Sequence, residues 1–260
     1  MNSRLTQIGF SQRVRLEWLE RTANLVLAGN DEASIYNVLQ ELFEDKLSVG
    51  GNAKRGNREK VITILMKIWV RPPRDLHPLQ REGLKLLSHL PREDHIAVHW
   101  GMAMAVYPFW GAVAAHVGRL LRLQGTAAAS QVQRRVREQY GERGTVSRAA
   151  RRVLRSFVDW EVLKETSEKG IYTAGLSLAI AQVEVIAWLA EAFLHAHPNA
   201  SVALRTVLDS TSLFPFRLSP VSAAHLVAVS GRLDVLRHGL DQDLIMLRTE
   251  SLPAAKGGGS

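Results

Sequence analysis

The chain has 260 residues and no cysteine, which excludes disulfides, thiolate metal sites and cysteine nucleophiles. Its 46% hydrophobic and 22% charged residues suit a packed core in one large or two modest domains. With 33 basic against 25 acidic residues it nets +8, which favours a polyanionic partner without choosing among polyanions.

The opening residues, MNSRLTQIGFSQRVRLEW, lack an apolar run followed by small residues, so no secretory signal is expected. Apolar periodicity predicts helices over residues 14–28, 33–44 and 58–70, with Asp31 placed to cap the second. Residues 48–57 (SVGGNAKRGN) read as a basic, glycine-rich loop. Its glycines have neither the spacing nor the preceding strand of a phosphate-binding loop. Arg71-Pro72-Pro73 stops the third helix, because proline lacks an N–H and restricts its predecessor. A helix over 79–90 completes an N-terminal helical domain, residues 1–90.

Two regions are apolar enough to test for membrane insertion. Residues 100–115 are too few for a span of about twenty residues and carry Pro108 in the middle. Residues 171–193 contain Gln182, Glu184 and Glu191, which are costly in hydrocarbon. Both are expected to be buried helices away from any membrane. Trp100, Tyr107, Phe109 and Trp110, with Phe157 and Trp160, are expected in the core rather than on a base-stacking surface.

The most charged stretch is residues 130–155, with eight arginines, two glutamates and a local charge of +6. Guanidinium groups pair bidentately with phosphates and guanine edges. A helix over 109–123 closes at Gly125, and the next, over 126–140, turns Val132, Val136 and Tyr140 inward and stops at Gly141. After the linker GERG, Thr145 is placed to cap a third helix. Along it, Val146, Ala150, Val153, Leu154 and Phe157 form one apolar stripe. Arg148, Arg151, Arg152 and Arg155 fall within about 100° on the opposite side. A solvated face usually mixes signs, whereas this one carries no acid.

Residues 162–163 and 171–173, around the polar turn KETSEKG, read as a hairpin. Three helices followed by a basic-tipped hairpin describe a winged helix-turn-helix, assigned to residues 91–198 with its flanking helices. In that arrangement the third helix enters the DNA major groove, its N-terminal residues nearest the bases. The candidate DNA-binding residues are therefore Thr145, Ser147, Arg148, Arg151, Arg152 and Arg155 on the helix. Arg134, Arg135, Arg137 and Arg143 lie before it, and Lys164 and Lys169 at the wing.

Beyond this, a long helix is expected over 176–196, stopped by Pro198, then a short helix over 200–208 and a strand within 213–218. Ser219-Pro220 is read as opening a helix over 221–229, with proline in its first turn. Runs at 233–237 and 244–248 suggest a second hairpin. The C-terminal α+β piece, residues 199–252, reads as a degenerate second winged helix of nearly balanced charge, suited to packing on protein. Residues 253–260 read as an artificial linker. The fold class is mostly α: a helical N-terminal part, a winged helix-turn-helix and this small C-terminal piece.

Catalytic signals are poor. His95 and His99, beside Asp94, share a helix face that could hold a metal, but no third and fourth ligands accompany them. His195 and His197 stand at a helix end, where imidazolium complements the dipole. Asp234, Asp241 and Asp243 fit a turn better than a nuclease cluster, and Glu161 and Lys164 are one residue too far apart for the common nuclease strand motif. No catalytic residue, metal or cofactor is expected, so the chain reads as a non-enzyme.

The run LVLAGNDEASIYNVLQELFEDKLSVGGNAKRGNREKVITILMKIWVR, with TVSRAARRVLRSFVDWEVL further on, resembles BrxA of the BREX bacteriophage-defence systems over residues 20–175. The resemblance implies a small, non-enzymatic DNA-binding accessory protein of the cytoplasm, with double-stranded DNA as ligand and larger defence-system subunits as partners. The stretch from about 200 to 250 departs from that family. From the residues alone, duplex-DNA binding through the arginine face stands first, its rival is a scaffold whose basic face docks an acidic partner subunit, and a nuclease is the third class.

Overall fold

The computed structural model describes residues 3–45, 47, 56–199, 201–238 and 242–248. Among the described residues the protein is mostly helical, with three small sheets. Helices α1 (Leu16–Leu27), α2 (Glu32–Leu42), α3 (Asn57–Trp69) and α4 (His77–His89) form the N-terminal part. Asp31 caps α2 as expected, its side chain accepting from Ser34 N at 2.7 Å. Residues 48–55 of the expected glycine-rich loop lie outside the described residues, as do Asp241 and residues 253–260.

Helix α5 (His95–Val106) is apolar on every side, and every residue from Ile96 to Val106 is buried, as a helix surrounded by others requires. It turns at Tyr107 into α6 (Pro108–Gln124) at 118°; among the described residues no single helix is long and apolar enough to cross a membrane. The expected aromatic core is present around Trp100, which stacks on Phe157 (4.8 Å between ring centroids) and meets Trp110 edge-on. Buried indoles still need acceptors. Trp100 donates to Ser212 O, Trp160 to Val14 O and Trp188 to Leu79 O, at 2.9–3.0 Å.

The winged unit runs α6, β1 (Thr126–Ala128), α7 (Ala129–Tyr140), α8 (Gly144–Asp159), β2 (Leu163–Glu165) and β3 (Ile171–Ala174). Its antiparallel sheet has the order β1-β3-β2, with Lys164 opposite Thr173 and Ala127 opposite Tyr172. This is the expected winged helix-turn-helix with one correction. Residues 126–128 are a strand, because pairing with β3 outweighs the helical propensity of an alanine run. Gly141 ends α7 at φ 97°, ψ 152°, a backbone that residues with a Cβ avoid.

The helix expected over 176–196 begins only at Val183: Leu178–Ile180 forms β4, and α9 covers Val183–Ala196. Strand β4 pairs in parallel with β6 (Phe216–Leu218), joining the expected middle and C-terminal parts. Between them lie β5 (Ser201–Ala203) and α10 (Leu204–Leu208). Helix α11 is Ala223–Val229, capped by Ser222, whose hydroxyl accepts from His225 N; Pro220 stands before the helix rather than in its first turn. The second hairpin forms as β7 (Leu233–His238) and β8 (Gln242–Leu247). Apart from the Thr211–Leu213 turn and β6, which are inserted between α10 and α11, the elements α9, β5, α10, α11, β7 and β8 follow the order of the winged unit, and the sheet order β5-β8-β7 repeats β1-β3-β2. Helix α11, AAHLVAV, has no arginine or lysine.

Candidate nucleic-acid interface

The sequence of α8 dictates its orientation. Val146, Ala149, Ala150, Val153, Leu154 and Phe157 are buried, and Arg148, Arg151, Arg152 and Arg155 are exposed on the opposite side. Ser156 and Asp159 fix the helix from behind: Ser156 Oγ accepts from Val14 N at 2.9 Å, and Asp159 accepts both Nε and Nη2 of Arg13. The basic side thus belongs to a helix clamped on its inner side.

What distinguishes the arginines is their partners. Among the described residues, Arg148, Arg151 and Arg152 make no ion pair, and neither do Lys164 and Lys169, which are exposed on β2 and at the wing turn. Arg134, Arg135, Arg137 and Arg155 are partly neutralised, while Arg143 meets only a carbonyl. Arg155 donates to Glu165 at 2.6 Å, and Arg135 to Glu138 at 3.0 Å, with Arg134 4.0 Å from the same carboxylate. Arg137 Nε lies 3.3 Å from Glu142, at ion-pair distance, and Arg143 donates to Tyr140 O. Arg134, Arg135 and Arg137 therefore offer less free charge to a backbone than their number suggested. Thr145 is corrected: α8 starts at Gly144 with Arg143 at the cap position and no side-chain cap bond, leaving Thr145 exposed in the first turn. Ser147, next to it, is half-buried.

Two grooves run beside α8. One, of about 550 Å³, lies towards the wing and is lined by Arg148, Arg151, Arg152, Arg155, Lys169 and Tyr172, with Glu165 as its acid. The wing is held to α7 by Ala129 N donating to Gly170 O at 2.8 Å. The other groove, of about 480 Å³, lies towards the N-terminal part, where Lys60 and Asn57 of α3 face Thr145, Arg148 and Arg152. Sequence reasoning missed Lys60 because it is 88 positions before Arg148, and only the tertiary fold brings the two to one groove.

His95 and His99 both bond to Glu20. His99 accepts at Nδ1 from Trp69 Nε1 (3.1 Å), so its Nε2 carries the proton that bonds Glu20 Oε2 at 2.7 Å. Both ring nitrogens of His95 face oxygens, those of Glu20 (3.0 Å) and Leu90 O (3.1 Å). The His99 hydrogen bond, despite partial burial, draws the Glu20 carboxyl down to about 2. Glu20, far in sequence, is the partner that the His95–His99 spacing did not reveal; among the described residues no group of three or more such side chains is suited to a metal ion. His195 corrects another expectation: burial, aided by nearby Arg4, lowers it to about 4, so it stands neutral at the end of α9 rather than as imidazolium. Compared with known proteins, the chain matches no family model, no curated protein and no solved structure.

Proposed function

We propose that this chain is a non-enzymatic protein that binds duplex DNA, with α8 as the recognition helix and the β2–β3 hairpin as the wing. The supporting observation is that Arg148, Arg151 and Arg152 stand exposed on one side of α8, without a carboxylate partner among the described residues. Unpaired arginines gain most when a phosphate replaces their water, because each neutralised phosphate also releases condensed counterions. Thr145, Ser147 and Arg148 occupy the end of the helix that lies nearest the bases in this docking geometry. Lys164 and Lys169 reach the backbone beside the wing. Phosphate contacts position a protein without reading sequence, so the expected preference among sequences is weak.

Taken with the resemblance to BrxA, the reading extends to an accessory protein of a bacterial phage-defence system, acting in the cytoplasm beside larger subunits. A gel-shift titration with duplex DNA tests it. Wild type should retain the duplex, and the Arg148→Glu/Arg151→Glu/Arg152→Glu variant should not. Equal retention by both would favour the scaffold reading, in which the basic side meets an acidic protein.

A further inference from the structure

The inference here rests on the duplex-DNA reading and deepens it. Arg148 and Arg152 line both grooves beside α8, so they form the ridge between them. A helix seated in a major groove about 12 Å wide has one phosphate backbone on each side. The wing accounts for one side. The opposite side is built by the N-terminal part, which carries no DNA-binding assignment so far.

The character of that second groove is unusual for a junction between two parts of a chain. Lys60 stands in the first turn of α3, half-buried, and makes no ion pair among the described residues. No carboxylate lines the groove among the described residues. The neighbouring acid on α3, Glu59, is turned elsewhere, accepting from Tyr36 Oη at 2.7 Å and from Gln40 Nε2 at 3.1 Å. Three cations, Lys60, Arg148 and Arg152, therefore surround a space with no countercharge among the described residues.

The groove is also fixed in shape. Gln12 Nε2 donates to Asn57 Oδ1 at 3.0 Å, joining the N-terminal segment to the start of α3. Two residues on, Val14 N donates to Ser156 Oγ, and Arg13 binds Asp159 with two bonds, which join the same segment to α8. Phe10 anchors it in the core, 5.0 Å from the Trp110 ring. Lys60 is therefore held relative to Arg148 and Arg152 before any ligand arrives, which lowers the ordering cost of a joint contact.

We propose that Lys60, with Arg148 and Arg152, forms a phosphodiester clamp for the DNA strand opposite the one held by the wing. The winged unit and the helical N-terminal part would then grip the two backbones of one duplex. The ligand class is a double-stranded nucleic acid; a single strand offers only one of the two backbones.

The test is the salt dependence of binding by wild type, Lys60→Gln, Lys60→Arg and Lys169→Gln. Each is titrated on a duplex of about 20 base pairs and on one of its single strands. On the duplex, Lys60→Gln and Lys169→Gln should each reduce the slope of log K against log salt by about 1, and Lys60→Arg should keep the wild-type slope. On the single strand, Lys60→Gln should match wild type while Lys169→Gln still weakens binding. A Lys60→Gln slope on the duplex equal to that of wild type overturns the clamp and leaves the DNA reading standing. Equal weakening of both ligands by Lys60→Gln overturns the two-strand arrangement. Absence of salt-dependent duplex binding by wild type overturns the underlying reading itself. Thermal melting of each variant confirms that a lost slope is not a lost fold.

Discussion

Arg155 Nη1 lies 2.6 Å from Glu165 Oε1, so one ion pair joins α8 to the wing strand β2. Both side chains are about half exposed, and a pair of that kind contributes at most about 1 kcal/mol to stability. Its effect on a polyanion is larger, because it occupies one arginine and places a carboxylate, Glu165, in the wing-side groove. Glu165→Gln should therefore bind duplex DNA about three- to tenfold more tightly, with a salt slope steeper by about 1. Its melting temperature should stay within a few degrees of wild type. Fluorescence anisotropy against salt measures the first effect; unchanged affinity would place Arg155 away from DNA.

Acid should destabilise the protein through His195. Its folded pKa of about 4 lies below the ordinary imidazole value, held there by burial first, then by Arg4 and Arg232, with Asp75 opposing. The sign follows directly: the unfolded chain takes up a proton below about pH 6.5 that the folded chain refuses, so stability falls as pH falls from there to about 4. At pH 5 this amounts to roughly 2 kcal/mol. Glu20 adds to the loss at lower pH, since a carboxyl drawn down to about 2 gives up its stabilisation between about pH 4.5 and that value. Melting curves at pH 7 and pH 5 should show His195→Gln losing less stability than wild type over that interval. An equal loss would contradict the buried, neutral imidazole.

Gly118 sits where α6 meets the turn at Thr211–Leu213. A Cβ there would lie 2.3 Å from Thr211 O and 2.6 Å from Phe214 Cβ. Backbone and Cβ atoms cannot swing aside as a flexible side-chain tip can, so Gly118→Ala should destabilise the protein by about 1–3 kcal/mol. Chemical denaturation measures it. A change within about 0.5 kcal/mol would mean that the two elements separate without cost.

The basic side of α8 was legible because helical periodicity alone puts Val146, Ala150, Val153 and Leu154 opposite Arg148, Arg151, Arg152 and Arg155. The wing was legible from its polar turn between short apolar runs. Strand β1 was not, since three small residues beside a helix become a strand only through pairing with β3. Strand β4 was hidden the same way, by its parallel pairing with β6 across 38 positions. The partial neutralisation of Arg134 and Arg135 stood in the sequence, as Glu138 follows at i+4 and i+3. The Arg155–Glu165 pair did not, because ten positions and a change from helix to strand separate them. Thr145 was misread as a cap because the helix starts at Gly144, two residues earlier than a cap at Thr145 requires, and leaves its hydroxyl without a cap bond.

In the proposed DNA-bound state, Arg148, Arg151 and Arg152 neutralise phosphates. The most direct measurement is the slope of log K against log salt on one duplex, for wild type and for Arg148→Ala/Arg151→Ala/Arg152→Ala. Each lost phosphate contact removes about 0.9 from the slope, so the variant should fall short of wild type by about 3 and bind far more weakly at low salt. Identical slopes and affinities would contradict the assignment of α8 to DNA.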